Sequence, residues 1–100
     1  MSPATARIPL GRLAMTAGVA GLISERRWLA AALPIWLGRH ARNDCPNLDA
    51  HDRTANAWAM QADERVLTSW PIGPADAGLC LWIITEADRS ATTILLPDEY

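Results

Sequence analysis

Apolar residues between Ser24 and Arg42 recur at the spacing of an α-helix. Ser24 is a good N-cap, because its hydroxyl accepts a hydrogen bond from a free backbone N–H of the first turn. Glu25 suits the positive end of the helix dipole. The apolar face consists of Trp28, Leu29, Ala32, Leu33, Trp36 and Leu37. Pro34 interrupts this face, so the pattern predicts either one kinked helix or two short helices that meet there.

A second helical pattern follows a loop of turn-forming residues, 43–48. Asp49 has a side chain that favours the N-cap position, and we expect the helix to run from there to about Ala62. Its apolar stripe consists of Ala55, Trp58, Ala59 and Ala62. Asp52 and Asn56 lie one turn apart on a neighbouring polar face. The sequence therefore predicts a second helix with one apolar and one polar side.

The period of the pattern then changes to two, which is typical of β-strands. Residues 65–70 alternate between apolar and polar, and 79–85 and 91–96 are two further apolar runs joined by the short charged turn 86–90. Pro97 ends the last strand, since proline cannot donate to a β-ladder. The sequence predicts an α+β fold, with two helices followed by a three-stranded antiparallel β-meander.

The length and composition are typical of one globular domain, with half of the residues apolar and a fifth charged. We assign residues 24–100 to this domain and residues 1–23 to an N-terminal extension. If Met15 is the true start, the residues before it form a poorly ordered extension. Its mildly apolar run, Leu13–Ile23, is too short to span a bilayer. Cys45 and Cys80 are expected to be reduced thiols, and we predict a cytoplasmic protein that does not insert into a membrane.

The predicted middle strand is apolar on both of its faces. Leu79, Leu81 and Ile83 point to one side, and Cys80, Trp82 and Ile84 point to the other. Such strands are normally buried on both sides, whereas two short helices cover only one face of a sheet. The N-terminal extension, a second copy of the chain or another protein must then cover the second face. This argument predicts a protein that works by association.

The charge of the chain argues against a nucleic-acid partner. The formal net charge is −2 and the sequence contains no lysine. Proteins that bind phosphate backbones usually carry clustered lysine and arginine. We therefore expect a protein partner rather than DNA or RNA.

The turn 86–90 places two carboxylates, a guanidinium and a hydroxyl within five residues. As a recognition tip, it would pair Glu86, Asp88, Arg89 and Ser90 with a protein partner, together with Trp82 on the uncovered sheet face. The alternative is a solvated hairpin turn in which Asp88 and Ser90 bond the local backbone. The residue types alone favour the solvated turn, so the recognition tip is a hypothesis.

Few side chains suggest a metal site or a catalytic site. His40, Cys45, His51 and Asp52 are irregularly spaced and include a single cysteine, so we predict no metal. We also expect no cofactor, since the sequence has no phosphate loop or nucleotide fingerprint. His40 is interpreted as a residue that caps the carbonyls at a helix end. An enzyme would instead use His40, Asp52, Asn56 and the turn carboxylates, and would bring them together in one concave pocket.

The C-terminal segment is similar to that of a known group of proteins. Residues 82–97 (WIITEADRSATTILLP), followed by residues 99–100, resemble the ending of a family of small uncharacterised proteins carried on bacterial plasmids and integrative elements. Residues 37–40 match the Leu-x-Arg-His step of that family. Asp52 and Asn56 match an acidic residue and an asparagine that its members carry four positions apart in the next helix. The C-terminal motif is the specific part of the resemblance.

The resemblance spans residues 36–100 and has two departures. Family members often carry an aromatic residue with glycines in the loop after the histidine, where this chain has residues 44–46 (DCP), and residues before Ser24 have no counterpart. The resemblance implies a mobile genetic element, whose small accessory proteins often bind host machinery. We therefore expect a non-enzymatic accessory protein that binds a host complex, for example as an inhibitor of a host defence system (anti-CRISPR or anti-restriction). The alternatives are a small enzyme and a homodimeric regulatory module.

Overall fold

A computed structural model of the protein describes residues 7–73 and 78–100. These residues form three α-helices and one mixed four-stranded sheet, an α+β fold. The helices are α1 (Ala17–Glu25), α2 (Arg27–Ala41) and α3 (Ala50–Gln61). The strands are β1 (Arg12–Met15), β2 (Val66–Pro71), β3 (Cys80–Thr85) and β4 (Ala91–Leu95), and the 3-10 turn Pro97–Glu99 follows β4. No helix in the described ranges is long and apolar enough to cross a membrane.

The predicted α+β class is confirmed, and β2, β3 and β4 form an antiparallel meander with β3 in the middle. The prediction of two helices and three strands is nevertheless incomplete. β1 adds a fourth strand, which pairs in parallel with β4 from Arg12 opposite Ala91 to Met15 opposite Ile94. Its four residues are too few to show a clear alternation, and its partner lies at the other end of the sequence.

The start of the first helical segment also differs from the prediction. Thr16, rather than Ser24, caps the first helix, since its Oγ1 accepts a hydrogen bond from the Val19 N–H at 3.5 Å. The Ser24 hydroxyl instead donates to the Gly21 carbonyl within α1 at 2.7 Å. The helix ends because Arg26 adopts an extended backbone (φ −130°, ψ 92°), and α2 begins with the next residue. α2 continues through Pro34 as a single helix.

The C-terminal 3-10 turn contacts the first turn of α1. The Glu99 carboxylate accepts hydrogen bonds from the Thr16 hydroxyl and from the Gly18 N–H, the latter at 3.1 Å. Hydrogen bonding from the Thr16 hydroxyl lowers the pKa of Glu99. A Cβ atom at Gly18 would lie 2.7 Å from the same carboxylate, so a side chain there would displace the carboxylate. An acidic group at the N-terminus of a helix also stabilises the helix dipole.

The core lies between one face of the sheet and the first two helices. β2, β3 and β4 contribute Trp70, Leu81, Ile83 and Ile94, and the helices contribute Val19, Leu29 and Leu33. α1 contacts β4 and α2 contacts β2, so together the two helices extend across this face. α3 contacts β2 and carries a single buried residue, Asn56.

The second face of the sheet is partly covered by the C-terminal residues. Ile84 and Leu95 are buried at 3% and 5% exposure, and Trp82 is half-buried. The Tyr100 ring meets the Trp82 ring edge-on, with 5.9 Å between the centroids. The Arg65 guanidinium lies over the same Tyr100 ring at 5.9 Å. We had expected cover from the N-terminal extension, a second copy or another protein, so Tyr100 is a source of cover that the pattern did not reveal.

Candidate functional site

Arg89 at the hairpin tip is bound to the end of α3. Its guanidinium donates hydrogen bonds to the carbonyls of Ala59 at 3.1 Å, Met60 at 3.4 Å and Glu64 at 2.6 Å. It also donates to the Glu86 carbonyl within the turn at 3.1 Å. The last carbonyls of a helix lack intrahelical partners, and a cation is favourable there. Arg89 therefore has a structural role that joins the turn to α3.

The other polar residues of the turn also have partners within the chain. The Glu86 carboxylate accepts a hydrogen bond from the Arg65 guanidinium at 3.1 Å. Asp88 Oδ1 accepts from the Ser90 N–H at 2.9 Å, and hydrogen bonding from Ser90 lowers the pKa of Asp88. These local contacts correspond to the solvated-turn interpretation. Partner binding by the turn residues and by Trp82 stays a prediction.

His40 lies in the last turn of α2, as expected, but its side chain is buried in the core and does not cap carbonyls. Its Nδ1 lies 2.7 Å from the Thr68 hydroxyl, and its Nε2 lies 2.8 Å from the Thr85 hydroxyl. Burial, with a smaller contribution from the charge of Arg89, lowers the pKa of His40 to about 4. The imidazole is therefore neutral at physiological pH and serves as a polar core residue.

The protonated nitrogen of this imidazole follows from its neighbours. The Thr92 hydroxyl donates to the Leu10 carbonyl at 2.7 Å, so it must accept from the Thr85 hydroxyl, also at 2.7 Å. Thr85 must then accept from Nε2–H of the imidazole. Nδ1 is left to accept from the Thr68 hydroxyl, which itself accepts from the Trp70 indole N–H at 2.7 Å. This continuous chain of hydrogen bonds leads from β2 to Leu10, two residues before β1.

The structure does not bring the predicted catalytic residues together. Asn56 is buried and donates to the Leu67 carbonyl at 2.7 Å, whereas Asp52 is exposed in the first turn of α3. His40 is buried in the core, as described above. His40 and Asn56 are therefore buried with hydrogen-bond partners inside the chain and Asp52 is exposed, in contrast to the convergence in one concave pocket that the enzyme hypothesis expects.

The residues considered for metal binding are likewise separated. The Cys45 thiol is buried and donates to the Ser69 carbonyl at 3.1 Å. His51 and Asp52 instead lie with Asp49 at the start of α3, where their potential ligand atoms are within 4.8 Å of one another. All three are exposed, and Asp49 Oδ1 already accepts the Asp52 N–H as the N-cap predicted from the sequence. Exposed acidic residues at a helix start are explained by the helix dipole alone.

The outer edge of β2 is closed by side chains from neighbouring segments. Successive backbone carbonyls of a strand point to opposite sides, and those of Leu67 and Ser69 point away from β3. The Asn56 amide binds the first of these carbonyls and the Cys45 thiol binds the second. α3 lies against the strand. An approaching strand would therefore find these two outward carbonyls of β2 already hydrogen-bonded.

The outer edge of β1 is open within the described part of the chain. The N–H groups of Arg12 and Thr16 donate to β4 and its preceding turn, each at 3.0 Å. Because backbone groups alternate along a strand, those of Leu13 and Met15 point away from β4. The sheet order places β1 at the edge, and no described strand lies beyond it. On the other side of β1, Gly11 (φ +66°) allows the chain to pass close to the turn before β4, since a Cβ atom at Gly11 would lie 2.4 Å from the Ser90 backbone.

An apolar groove of about 500 Å³ lies between β1 and α2. All of its lining residues are apolar: Leu13, Ala14, Met15, Ile23, Ala30, Leu33, Pro34, Leu37 and Ile94. The α2 residues recur three or four positions apart, so they form one stripe along the helix. Leu13 and Met15 are 54% and 47% exposed. We call the open edge of β1 and this groove the β1 surface.

Sequence reasoning missed the β1 surface for two physical reasons. Leu13 and Met15 flank Ala14 in a segment that is too short to show a strand pattern. We therefore assigned this segment to the N-terminal extension. Pro34 was interpreted only as a helix breaker, although it lines the groove. The one available signal was the apolar spacing of Ala30, Leu33 and Leu37 along α2.

Comparisons with known proteins do not assign a function to this chain. No protein-family model, no curated protein and no solved structure matches this sequence.

Proposed function

We propose that this chain is a non-enzymatic protein-binding protein that recognises an extended segment of another protein at the β1 surface. The observation that carries the proposal is an unpaired strand edge beside an apolar groove. Strand addition to an exposed sheet edge is a common mode of peptide recognition. In this mode backbone hydrogen bonds supply affinity, and pockets for alternate side chains supply specificity.

The chemistry of the β1 surface favours an apolar extended segment. The backbone N–H and C=O groups of Leu13 and Met15 are available for a new ladder. A partner strand on this edge would direct every second side chain towards the helix layer, where the groove contains apolar residues only. Monomeric proteins rarely leave such patches without a use.

The remaining polar candidates favour binding over catalysis. His40 is neutral and buried, and both of its ring nitrogens are hydrogen-bonded to threonine hydroxyls. Arg89 is bound to backbone carbonyls of the same chain. A catalytic group must reach the substrate, and neither of these side chains faces the groove.

The biological partner is proposed from the resemblance of the C-terminal segment. Similarity of residues 82–100 to plasmid-borne proteins supports a host complex of a bacterium as the partner. Inhibition of a host defence system, restriction or CRISPR, is the role that we propose for this binding. This step rests on association with mobile elements and not on the geometry of the β1 surface.

Site-specific photocrosslinking in bacterial cells tests the proposal. The crosslinking amino acid p-benzoylphenylalanine replaces Met15 at the β1 surface, Ala87 at the hairpin tip, or Ile35 on α2. All three positions are exposed, and Ile35 does not line the groove, so it serves as the control. The proposal expects a discrete adduct with another protein from position 15 only. An adduct from position 87 without one from position 15 would instead support the recognition tip predicted from the sequence.

A further inference from the structure

We propose that a second copy of this chain binds the β1 surface, with the two β1 strands antiparallel about a two-fold axis at Ala14. This inference rests on the proposed function, because it uses the same edge that a partner protein would use. It would join the two sheets into one continuous eight-stranded sheet. A two-fold axis is the most common symmetry of soluble homo-oligomers.

The backbone of β1 favours one register for this pairing. Its outward-facing groups belong to Leu13 and Met15, as the alternation along the strand requires. When Leu13 of one copy lies opposite Met15 of the other, all of these groups enter hydrogen-bonded pairs. If the axis passed through Leu13, Met15 would lie opposite Gly11, in the turn before β1. If it passed through Met15, Leu13 would lie opposite Ala17, in α1.

The side chains agree with this register. Ala14 of one copy would lie opposite Ala14 of the other in a non-hydrogen-bonded pair, the position where side chains approach most closely. A small residue suits that position. Leu13 of one copy would lie beside Met15 of the other, and both are about half exposed in the single chain, at 54% and 47%. The pairing therefore removes the two most exposed apolar residues of β1 from water.

The charges at the ends of β1 are also complementary. In this register Arg12 lies opposite Thr16 of the second copy. The Thr16 hydroxyl is bound to the Glu99 carboxylate, so a guanidinium would meet a carboxylate at each end of the pairing. Arg12 is exposed and forms no ion pair with the described residues. The two-fold axis repeats this pair, which fixes the antiparallel direction.

Self-pairing would regulate the proposed function. The dimer covers the only hydrogen-bonding groups that a partner strand could use on β1, so partner and second copy exclude each other. Because each β1 strand has only four residues, the contact is below the size of a stable permanent interface. The dimer is therefore weak enough to dissociate when a partner competes.

Sedimentation velocity over a series of concentrations tests the pairing. The wild-type chain should show a reversible monomer–dimer equilibrium. Met15→Pro removes one outward N–H without touching the bonds to β4, and should raise the dissociation constant by about tenfold or more. Met15→Val keeps the N–H and an apolar side chain, so it is the matched control and should still dimerise. Far-UV circular dichroism and thermal melting verify that each variant is folded.

Cysteine crosslinking tests the register in a Cys80→Ser background. Ala14→Cys places two thiols opposite each other across the axis and should give the fastest disulfide-linked dimer. Leu13→Cys and Met15→Cys are the matched controls, since they would be fastest only if the axis passed through those residues. Fastest crosslinking from position 13 or 15 would overturn the proposed register.

The two proposals fail in different ways. A chain that stays monomeric at its highest soluble concentration, with no crosslinking at position 14, contradicts the dimer. If position 15 then captures a different protein in cells, the proposed function stands without self-pairing. If position 15 captures neither a copy nor another protein, both proposals fall.

Discussion

The two edges of the sheet differ in this small protein: one is covered by the chain itself and the other is open. The β2 edge is covered by α3, and its outward carbonyls are bound by Asn56 and Cys45. The β1 edge keeps its outward groups available beside an apolar groove. Open edges invite pairing with other chains, and native proteins usually block them. A chain that blocks one edge with specific side chains, and leaves the other open, indicates that the open edge has a use.

The closed edge depends on the hairpin tip, and breaking that link should have the largest effect. Arg89→Glu removes the hydrogen bonds to the end of α3 and places a carboxylate among carbonyls. We expect a loss of about 4 kcal/mol in the free energy of unfolding, since hydrogen bonds to charged groups contribute about 1.5–3 kcal/mol each. Urea denaturation measures it. An unchanged stability would mean that Arg89 is free to bind a partner, as the recognition-tip hypothesis requires.

Acid should weaken the hydrogen-bond chain that connects the two edges through His40. Burial lowers the pKa of His40 from 6.5 to about 4, so the folded state favours the neutral ring. Its contribution is complete above pH 6.5 and is lost as the pH falls towards 4, because the unfolded chain binds the proton more tightly. The total loss is about 3 kcal/mol at about 1.4 kcal/mol per pKa unit.

Urea denaturation at pH 7.5 and at pH 5 measures the first part of this loss, about 2 kcal/mol. The matched control is His51→Gln, because His51 is an exposed histidine with no core contacts. This variant should retain the wild-type pH dependence between these values. A wild-type chain equally stable at both pH values would contradict a buried neutral His40.

Opening the β2 edge directly should cost less. Asn56→Leu removes the amide that binds the Leu67 carbonyl and leaves a strand acceptor unpaired. We expect about 1–3 kcal/mol of destabilisation, with faster hydrogen exchange along β2. Asn47→Leu is the control, because the Asn47 amide binds the Ser69 hydroxyl from an exposed position and should contribute about 0.5 kcal/mol or less. Equal effects of the two changes would argue that Asn56 does not protect this edge.

The smallest effect on stability is expected at the open edge. Arg12→Glu places like charges together at the ends of the proposed pairing, yet alters no contact of the single chain described above. Its free energy of unfolding should stay within about 0.5 kcal/mol of wild type. Sedimentation should nevertheless show weaker dimerisation. Arg7→Glu makes the same charge change outside β1, and an equal weakening there would point to net charge rather than to the Arg12 contact.

The sequence predicted the features whose signals are local. Asp49 was recognised as an N-cap because a capping side chain and the helix it caps lie in one short window. The strands of the meander were recognised from their alternation and from the charged turn between two of them. Their boundaries differ from the prediction by a residue or so, which reflects the weak pattern at strand ends.

The features that the sequence did not reveal depend on distant partners. β1 exists because Arg12 lies beside Ala91, and no window of neighbouring residues contains that pairing. Arg89 looked like a recognition residue because its carbonyl partners lie in α3 and the following turn. His40 looked like a helix cap because its threonine partners belong to two strands. Composition can identify such residues, but only the fold assigns their contacts.

The tie between Thr16 and Glu99 also has a consequence for the order of folding. These residues are 83 positions apart, and β1 can pair only after β4 has formed. Contacts between distant segments form late, since the loop they close has a high entropic cost. During synthesis, the segment containing β1 is made first, but it can pair only after β4 has been made. We therefore expect β1 to join the sheet last and, in the finished protein, to be the strand that opens most readily.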